Sequence, residues 1–307
     1  MDAKRFNQIA EANLHSARSG KIHTMNASEF VTINRIRLEV QHIAGDRALP
    51  AIVFLHEGLG SVAMWRDWPA QVCAATGRRG LVYSRRGYGR SDANADVQLN
   101  SSDNSNPGAG ALPADYMQRE AFNVLPALLS ALELQRYILC GHSDGATISL
   151  LHASRFDCSA VVAMAPHLFV EDIALRAIAQ AKLAFETGDL KTKLARYHDD
   201  VHGAFWQWNG VWLADAFKNF DIRNDCTRIQ CPVLGIQGQQ DAYGTMAQLD
   251  ALQKCILSSN LHKNKPMPES NGHCSLLKIE HCGHSPHKDQ ADATLLAVAQ
   301  FINRLVH

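Results

Sequence analysis

Residues 137–146 read YILCGHSDGA and run into ATISLLHASRF: an apolar β-prone run, a serine held between two glycines, and a stretch patterned as a helix. A chain that leaves a strand and enters a helix within so few residues needs small side chains at the turn. Gly141 and Gly145 lack the Cβ atoms that would clash there, and Ala146 lets the helix lie close behind. Ser143 at the tip is pushed outward, where its hydroxyl is accessible. This segment constrains the fold more than any other, because it demands a sheet with helices stacked against it.

The rest of the sequence agrees. Short β-rich runs alternate with helical patterns, the signature of an α/β fold with a mostly parallel sheet flanked by helices. The expected strands are Phe30–Ile33, Arg37–His42, Ala51–Leu55, Gly80–Ser84, Tyr137–Cys140, Ala160–Met164, Val233–Gln237 and Leu276–Glu280, the first two an antiparallel edge pair. Apolar residues three and four apart predict a helix over Met117–Leu132. Two polar, Pro/Gly-rich stretches, Asp92–Pro113 and Ser258–Cys274, read as surface loops. Leu168–Asp221 interrupts the alternation with helical sequence carrying Trp206, Trp208 and Trp212. The expected organisation is therefore a core of residues 1–167 and 222–307 with a helical cap insertion at 168–221.

With 30 basic and 30 acidic residues among 307 the formal net charge is zero, so no basic field exists for a nucleic acid or a membrane surface. The first residues lack the apolar centre of a secretory signal, and no run of about 18 apolar residues could span a bilayer. Eight cysteines without C-x-x-C pairing suggest reduced core thiols and a cytoplasmic setting.

A serine hydroxyl is a poor nucleophile at neutral pH and needs a base within hydrogen-bond reach. The final strand, SLLKIE, runs into HCGHSPH, which places His284 just past its end, with His281 and His287 as rivals. The spacing of His281, Cys282, His284 and His287 fits no common zinc pattern, so no metal is expected. A carboxylate must hold the imidazole in one tautomer. Asp241 follows the strand PVLGIQG and is the expected partner, with Glu171 and Asp172 after the preceding strand as alternatives. Two backbone donors complete such a site: the N–H of Asp144, and the N–H of Gly58 or Leu59 in the glycine-rich loop HEGLGS.

HEGLGS, SRRGYGRS, GHSDGA, PVLGIQGQQDAYGT and CGHSPH together resemble the α/β-hydrolase superfamily from about Phe30 onward. The resemblance implies ester hydrolysis through an acyl-enzyme without cofactor, on a small-molecule ester or lactone. It also implies a scaffolding and loop-ordering part for Arg85–Ser91. The phrases HEGLGSVAMWRDWP, LARYHDDVHGAFWQWNGVWL and DAYGTMAQ are similar to a subgroup that includes serine-dependent macrolide esterases, which open the lactone ring of an antibiotic. On that likeness Glu57, Trp65, His198, Trp206 and Trp208 become candidate substrate-binding residues. Glu57 is unusual beside an oxyanion site and is expected to turn away, toward Arg66 or the cap. Three rivals share the architecture: carbon–carbon bond hydrolases of ring-cleavage products, peptidases of the proline iminopeptidase type, which would use Glu171, Asp172 or Glu186, and a non-catalytic ligand receptor. Haloalkane dehalogenases and epoxide hydrolases place a carboxylate where this chain has Ser143.

Overall fold

The computed structural model of the protein describes residues 27–94, 111–261 and 274–305. Eight strands form one sheet: β1 (Glu29–Ile33), β2 (Ile36–Ile43), β3 (Ala51–Leu55), β4 (Gly80–Tyr83), β5 (Tyr137–His142), β6 (Ala160–Met164), β7 (Val233–Gly238) and β8 (Cys274–Ile279). Their spatial order is β1-β2-β4-β3-β5-β6-β7-β8. β2 pairs antiparallel with both β1 and β4, and every other pairing is parallel. All eight expected strands are present, with ends displaced by at most two residues.

The central strands form because they can be buried on both faces. AIVFL, GLVY, AVVAM and VLGIQG are buried along their whole length, whereas β1 and β8 at the edges alternate with exposed positions. The two-residue period divides the core: Ala51, Val53 and Leu55 face one apolar layer, Ile52 and Phe54 the other.

The helices are α1 (Trp68–Thr76), α2 (Tyr116–Arg119), α3 (Leu125–Ala131), α4 (Asp144–Ala153), α5 (Asp172–Thr187), α6 (Leu190–Leu194), α7 (Val201–Leu213), α8 (Arg223–Cys226), α9 (Ala247–Leu261), α10 (Pro286–Asp289) and α11 (Ala291–Asn303). α1 and α11 pack together over the Ile52/Phe54 face; α2, α3 and α4 cover the other. The helix expected over Met117–Leu132 is interrupted. Between α2 and α3 lies a π-helical turn, Glu120–Val124, closed by the Leu125 N–H donating to the Glu120 carbonyl. Pro126 explains it: the residue has no N–H for the Phe122 carbonyl and its ring would strike that group, so the turn widens by one residue.

The insertion between β6 and β7 is helical, as expected. It leaves and returns through an antiparallel bridge between Phe169 and Asp221. Inside it, the Phe185 and Phe205 rings stack at 3.8 Å and Asn209 Nδ2 donates to the Ile178 carbonyl at 3.0 Å, joining α5 to α7. Of the two expected surface loops, residues 95–110 and 262–273 lie outside the described residues; α9 occupies the beginning of the second. Among the described residues no helix is long and apolar enough to cross a membrane.

Candidate active site

The site lies at the carboxyl ends of the parallel strands, where an open α/β sheet leaves its loops free to hold a ligand. Ser143 follows β5 with φ 53° and ψ −119°, a left-handed conformation that a residue with a Cβ adopts only under strain. Its N–H donates to the Met164 carbonyl at 2.8 Å, which pins the turn to β6. Neither flanking glycine can be replaced without movement. A Cβ at Gly145 would lie 2.0 Å from the Leu55 carbonyl oxygen, and one at Gly141 would lie 2.2 Å from the Gly145 oxygen.

Ser143 Oγ is 2.9 Å from His284 Nε2, and His284 Nδ1 is 2.9 Å from both oxygens of Asp241. A carboxylate only accepts, so Nδ1 carries the proton and Nε2 is free to accept from the serine hydroxyl. Asp241 is 6% exposed and also receives the Tyr243 N–H at 2.8 Å and Gln237 Nε2 at 3.2 Å. Burial pushes its carboxyl up, but the His284 hydrogen bond and charge prevail and hold it below the ordinary carboxylate value.

The rival groups are engaged elsewhere. Glu171 accepts from the Thr245 N–H, the Thr245 hydroxyl and Gln248 Nε2, and Asp172 is exposed at the start of α5. His287 is buried against Trp65, Trp68 and His142. His281 is exposed.

After β3, residues 57–60 form a turn closed by the Gly60 N–H donating to the Glu57 carbonyl at 3.0 Å. Arg85 Nη2 donates to the same carbonyl at 2.9 Å, and His56 Nδ1 does so at 2.6 Å. The Arg85 N–H donates to His56 Nε2 at 3.0 Å, which fixes the proton of that ring on Nδ1. Leu59 is tied down in the same manner: His198 Nε2 donates to its carbonyl at 3.0 Å, while His198 Nδ1 accepts the Gly89 N–H at 2.9 Å. With these carbonyls fixed, Gly58 and Leu59 occupy the centre of the turn, whose closing hydrogen bond uses neither of their N–H groups. Asp144 is the first residue of α4, so its N–H has no acceptor within that helix. The turn after β3 and the start of α4 thus each hold backbone N–H groups that these hydrogen bonds leave unused.

The expected pocket residues separate into groups. Trp208 rests on the loop after β3: a Cβ on Gly58 would lie 2.1 Å from Trp208 Nε1. Trp206 instead packs against Phe185, Phe205 and Lys182 within the insertion. Trp65 is 3% exposed, stacked on Trp68 and edge-on to Phe54 in the core beneath β3. His198 has both ring nitrogens occupied by backbone groups and serves the loop. Glu57 faces His142 (3.4 Å) and Lys288 (3.5 Å) rather than Arg66 or the cap.

The sequence reading missed two features. His167, just after β6, places Nε2 3.4 Å from Ser143 Oγ and its ring edge-on to Trp212. Burial lowers its pKa to about 3, so it stays neutral. Its place beyond a parallel strand was a usable signal. The second is a buried chain in which Trp212 Nε1 donates to the Tyr116 hydroxyl and Tyr116 donates to Asp144 Oδ2 at 2.6 Å, with Arg85 3.7 Å from the same oxygen. Burial pushes the Asp144 carboxyl up, against the pull of Arg85. Nothing in the spacing of those residues announced their meeting.

The described residues contain no cluster of His, Cys, Asp and Glu suited to a metal ion, and all eight cysteines are free. Chemically, the arrangement offers a hydroxyl within hydrogen-bond reach of a histidine that a carboxylate orients.

An epoxide hydrolase of Caballeronia sordidicola is 30% identical over 119 residues, which cover 38% of this chain and 31% of that protein. The chain therefore spans under a third of the length of that curated relative. Solved structures match along most of the chain. The enol-lactonase of Burkholderia xenovorans LB400 has a TM-score of 0.64 at 18% identity, over 90% of this chain and 100% of the other. A carboxylesterase structure from the thaumarchaeon Nitrososphaera gargenis has a TM-score of 0.62 at 16% identity, over 91% and 100%. At such identities the likeness is one of fold. The alpha/beta hydrolase family itself matches residues 52–297, from the start of β3 to the middle of α11, and the chain belongs to that family of hydrolases.

Proposed function

We propose that this protein is a serine-dependent hydrolase of carboxylic esters and lactones that works through an acyl-enzyme, with macrolide rings as the first lactones to test. The observation that carries this reading is the continuous hydrogen-bonded line from Asp241 through His284 to Ser143. His284 Nε2 takes the proton as Ser143 Oγ bonds to the substrate carbonyl carbon. The oxyanion then lies toward the Asp144 N–H and the Gly58 or Leu59 N–H, each such donor being worth about 10²–10³ in turnover. Asp241 keeps the ring oriented and stabilises the imidazolium. The alcohol leaves with the proton from His284, and water repeats the sequence to free the acid. On a lactone the product is the substrate plus one water.

Trp208 against Gly58 and Trp212 edge-on to His167 are buried rings that shape the surroundings of the proposed site. The curated relative's name does not favour epoxide opening here. Attack on an epoxide by Ser143 would leave an ether, which water activated by a histidine does not cleave, whereas an acyl ester is turned over.

Mass spectrometry of reactions with p-nitrophenyl esters, simple lactones and macrolides tests the proposal. Ester turnover and a mass gain of one water on the lactones are expected, both lost in Ser143→Ala. With a ring-cleavage diketone and a peptide bearing an N-terminal proline in the same panel, cleavage of either in place of the esters, or binding without turnover, would overturn it in favour of a carbon–carbon hydrolase, a peptidase or a receptor.

A further inference from the structure

The oxyanion loop and the loop carrying His284 come from opposite ends of the sequence, yet a second acid–histidine pair joins them. His142, the residue before Ser143, is 1% exposed, and its Nε2 donates to the backbone carbonyl of His284 at 2.7 Å. Its Nδ1 faces Glu57 Oε2 at 3.4 Å, close enough for charge pairing though not aligned as a hydrogen bond. The other carboxylate oxygen of Glu57 is 3.5 Å from Lys288 Nζ, four residues beyond His284. Glu57 therefore grips the base loop at two points, once through His142 and once directly. The sequence makes room for this: a Cβ at Gly60 would lie 2.6 Å from Glu57 Oε2. The His142 ring is held on its remaining sides by His284 and His287, at 5.2 and 4.7 Å between centroids, with Trp65 at 6.5 Å.

We propose that Glu57 and His142 are positioning residues, a charge pair that fixes the backbone of His284 and couples its placement to that of the oxyanion loop. The inference rests on Ser143 and His284 being nucleophile and base, and it gives the carboxylate beside the oxyanion loop a purpose. Its negative charge is met by His142 and Lys288. Burial pushes the Glu57 carboxyl up, but its neighbours His142 and Lys288 prevail and hold it well below the usual carboxylate range.

The test is the rate at which a fluorophosphonate probe labels Ser143, since labelling reports activation of the hydroxyl without knowledge of the substrate. Glu57→Gln keeps the shape and removes the charge; His142→Gln keeps an amide donor for the His284 carbonyl; His142→Leu removes both contacts. Labelling is expected to fall about tenfold in Glu57→Gln and up to about a hundredfold in His142→Leu, because small displacements of a reacting group carry losses of this size. His142→Gln should recover part of the His142→Leu loss. Glu57→Gln combined with His142→Leu should be slower than His142→Leu by no more than the Lys288 contact allows, about threefold, and so far less than the product of the single losses. Lys288→Met, a partly exposed change that leaves the buried ring in place, should slow labelling by about threefold and serves if the other variants do not fold. Unchanged labelling in folded Glu57→Gln or Lys288→Met, or strictly multiplicative losses in the double variant, would overturn the inference. An unlabelled parent would instead overturn the assignment of Ser143.

Discussion

At the scale of single residues, Ser143 is under two constraints that pull apart. The turn that aims its hydroxyl at His284 in a buried setting, rather than outward as the sequence suggests, imposes φ 53°, which glycine tolerates and serine does not favour. Ser143→Gly is therefore expected to raise stability by about 1 kcal/mol, seen as a higher denaturant midpoint, while abolishing ester turnover. Ser143→Ala should lower turnover by roughly 10⁶ with the fold intact, as knockouts of such units do. Asp241→Asn should lower it by about 10⁴, because the amide invites the wrong tautomer of His284; Glu171→Gln should leave it near the parent value. A reversal of that last pair in a p-nitrophenyl ester assay would move the acid to the end of β6. These residues were legible in sequence because each follows a strand whose apolar run is unmistakable. The direction of the Glu57 side chain was not, since Gly60 and Lys288 decide it from different segments.

At the scale of elements, the contact between α4 and β3 has no slack. The Leu55 carbonyl occupies the space a side chain at position 145 would need. Gly145→Ala is expected to cost about 3 kcal/mol or more and to appear as insoluble expression or a much lower melting temperature, because backbone cannot yield as a flexible side chain can. A melting temperature within a degree of the parent would refute this packing. Gly58 differs: its neighbour is the Trp208 ring on α7, so Gly58→Ala should leave folding largely intact and alter the rate and KM for bulky esters by displacing the ring. The element pattern was readable from periodicity, including the insertion. The π-helical turn was not read as such, although Pro126 carried the signal. Periodicity describes which face is buried, while the missing donor at one residue sets how the turn closes.

At the scale of the whole molecule, buried histidines make stability depend on pH. His152 accepts from the Tyr137 hydroxyl and donates to the Ala121 carbonyl, and burial lowers its pKa from 6.5 to about 4. The unfolded chain therefore binds a proton in this range that the native chain refuses. Its contribution is fully present above about pH 6.5 and is lost as pH falls toward 4, by about 3 kcal/mol in all. His167 acts in the same sense, with its window extending to about pH 3. Asp144 and Glu120, whose carboxyls burial raises, act in the opposite sense, their contributions being lost as pH rises. The difference between parent and His152→Gln isolates one group: the gap in unfolding free energy should shrink as pH is lowered from 6.5 to 4. A gap independent of pH would show that His152 titrates normally.

The sequence by itself determined the sheet, the helices that cover it and the order in which serine, acid and histidine leave its strands. Strand and helix periods, turn glycines and strand ends are local properties of the chain, and they survive without knowledge of distant partners. Only the tertiary structure decided which neighbours those groups would have: His167 beside Ser143, Trp208 on Gly58 while Trp206 and Trp65 pack elsewhere, and Glu57 against His142 and Lys288. Such contacts join residues far apart in sequence, and their existence depends on how much room one segment leaves for another.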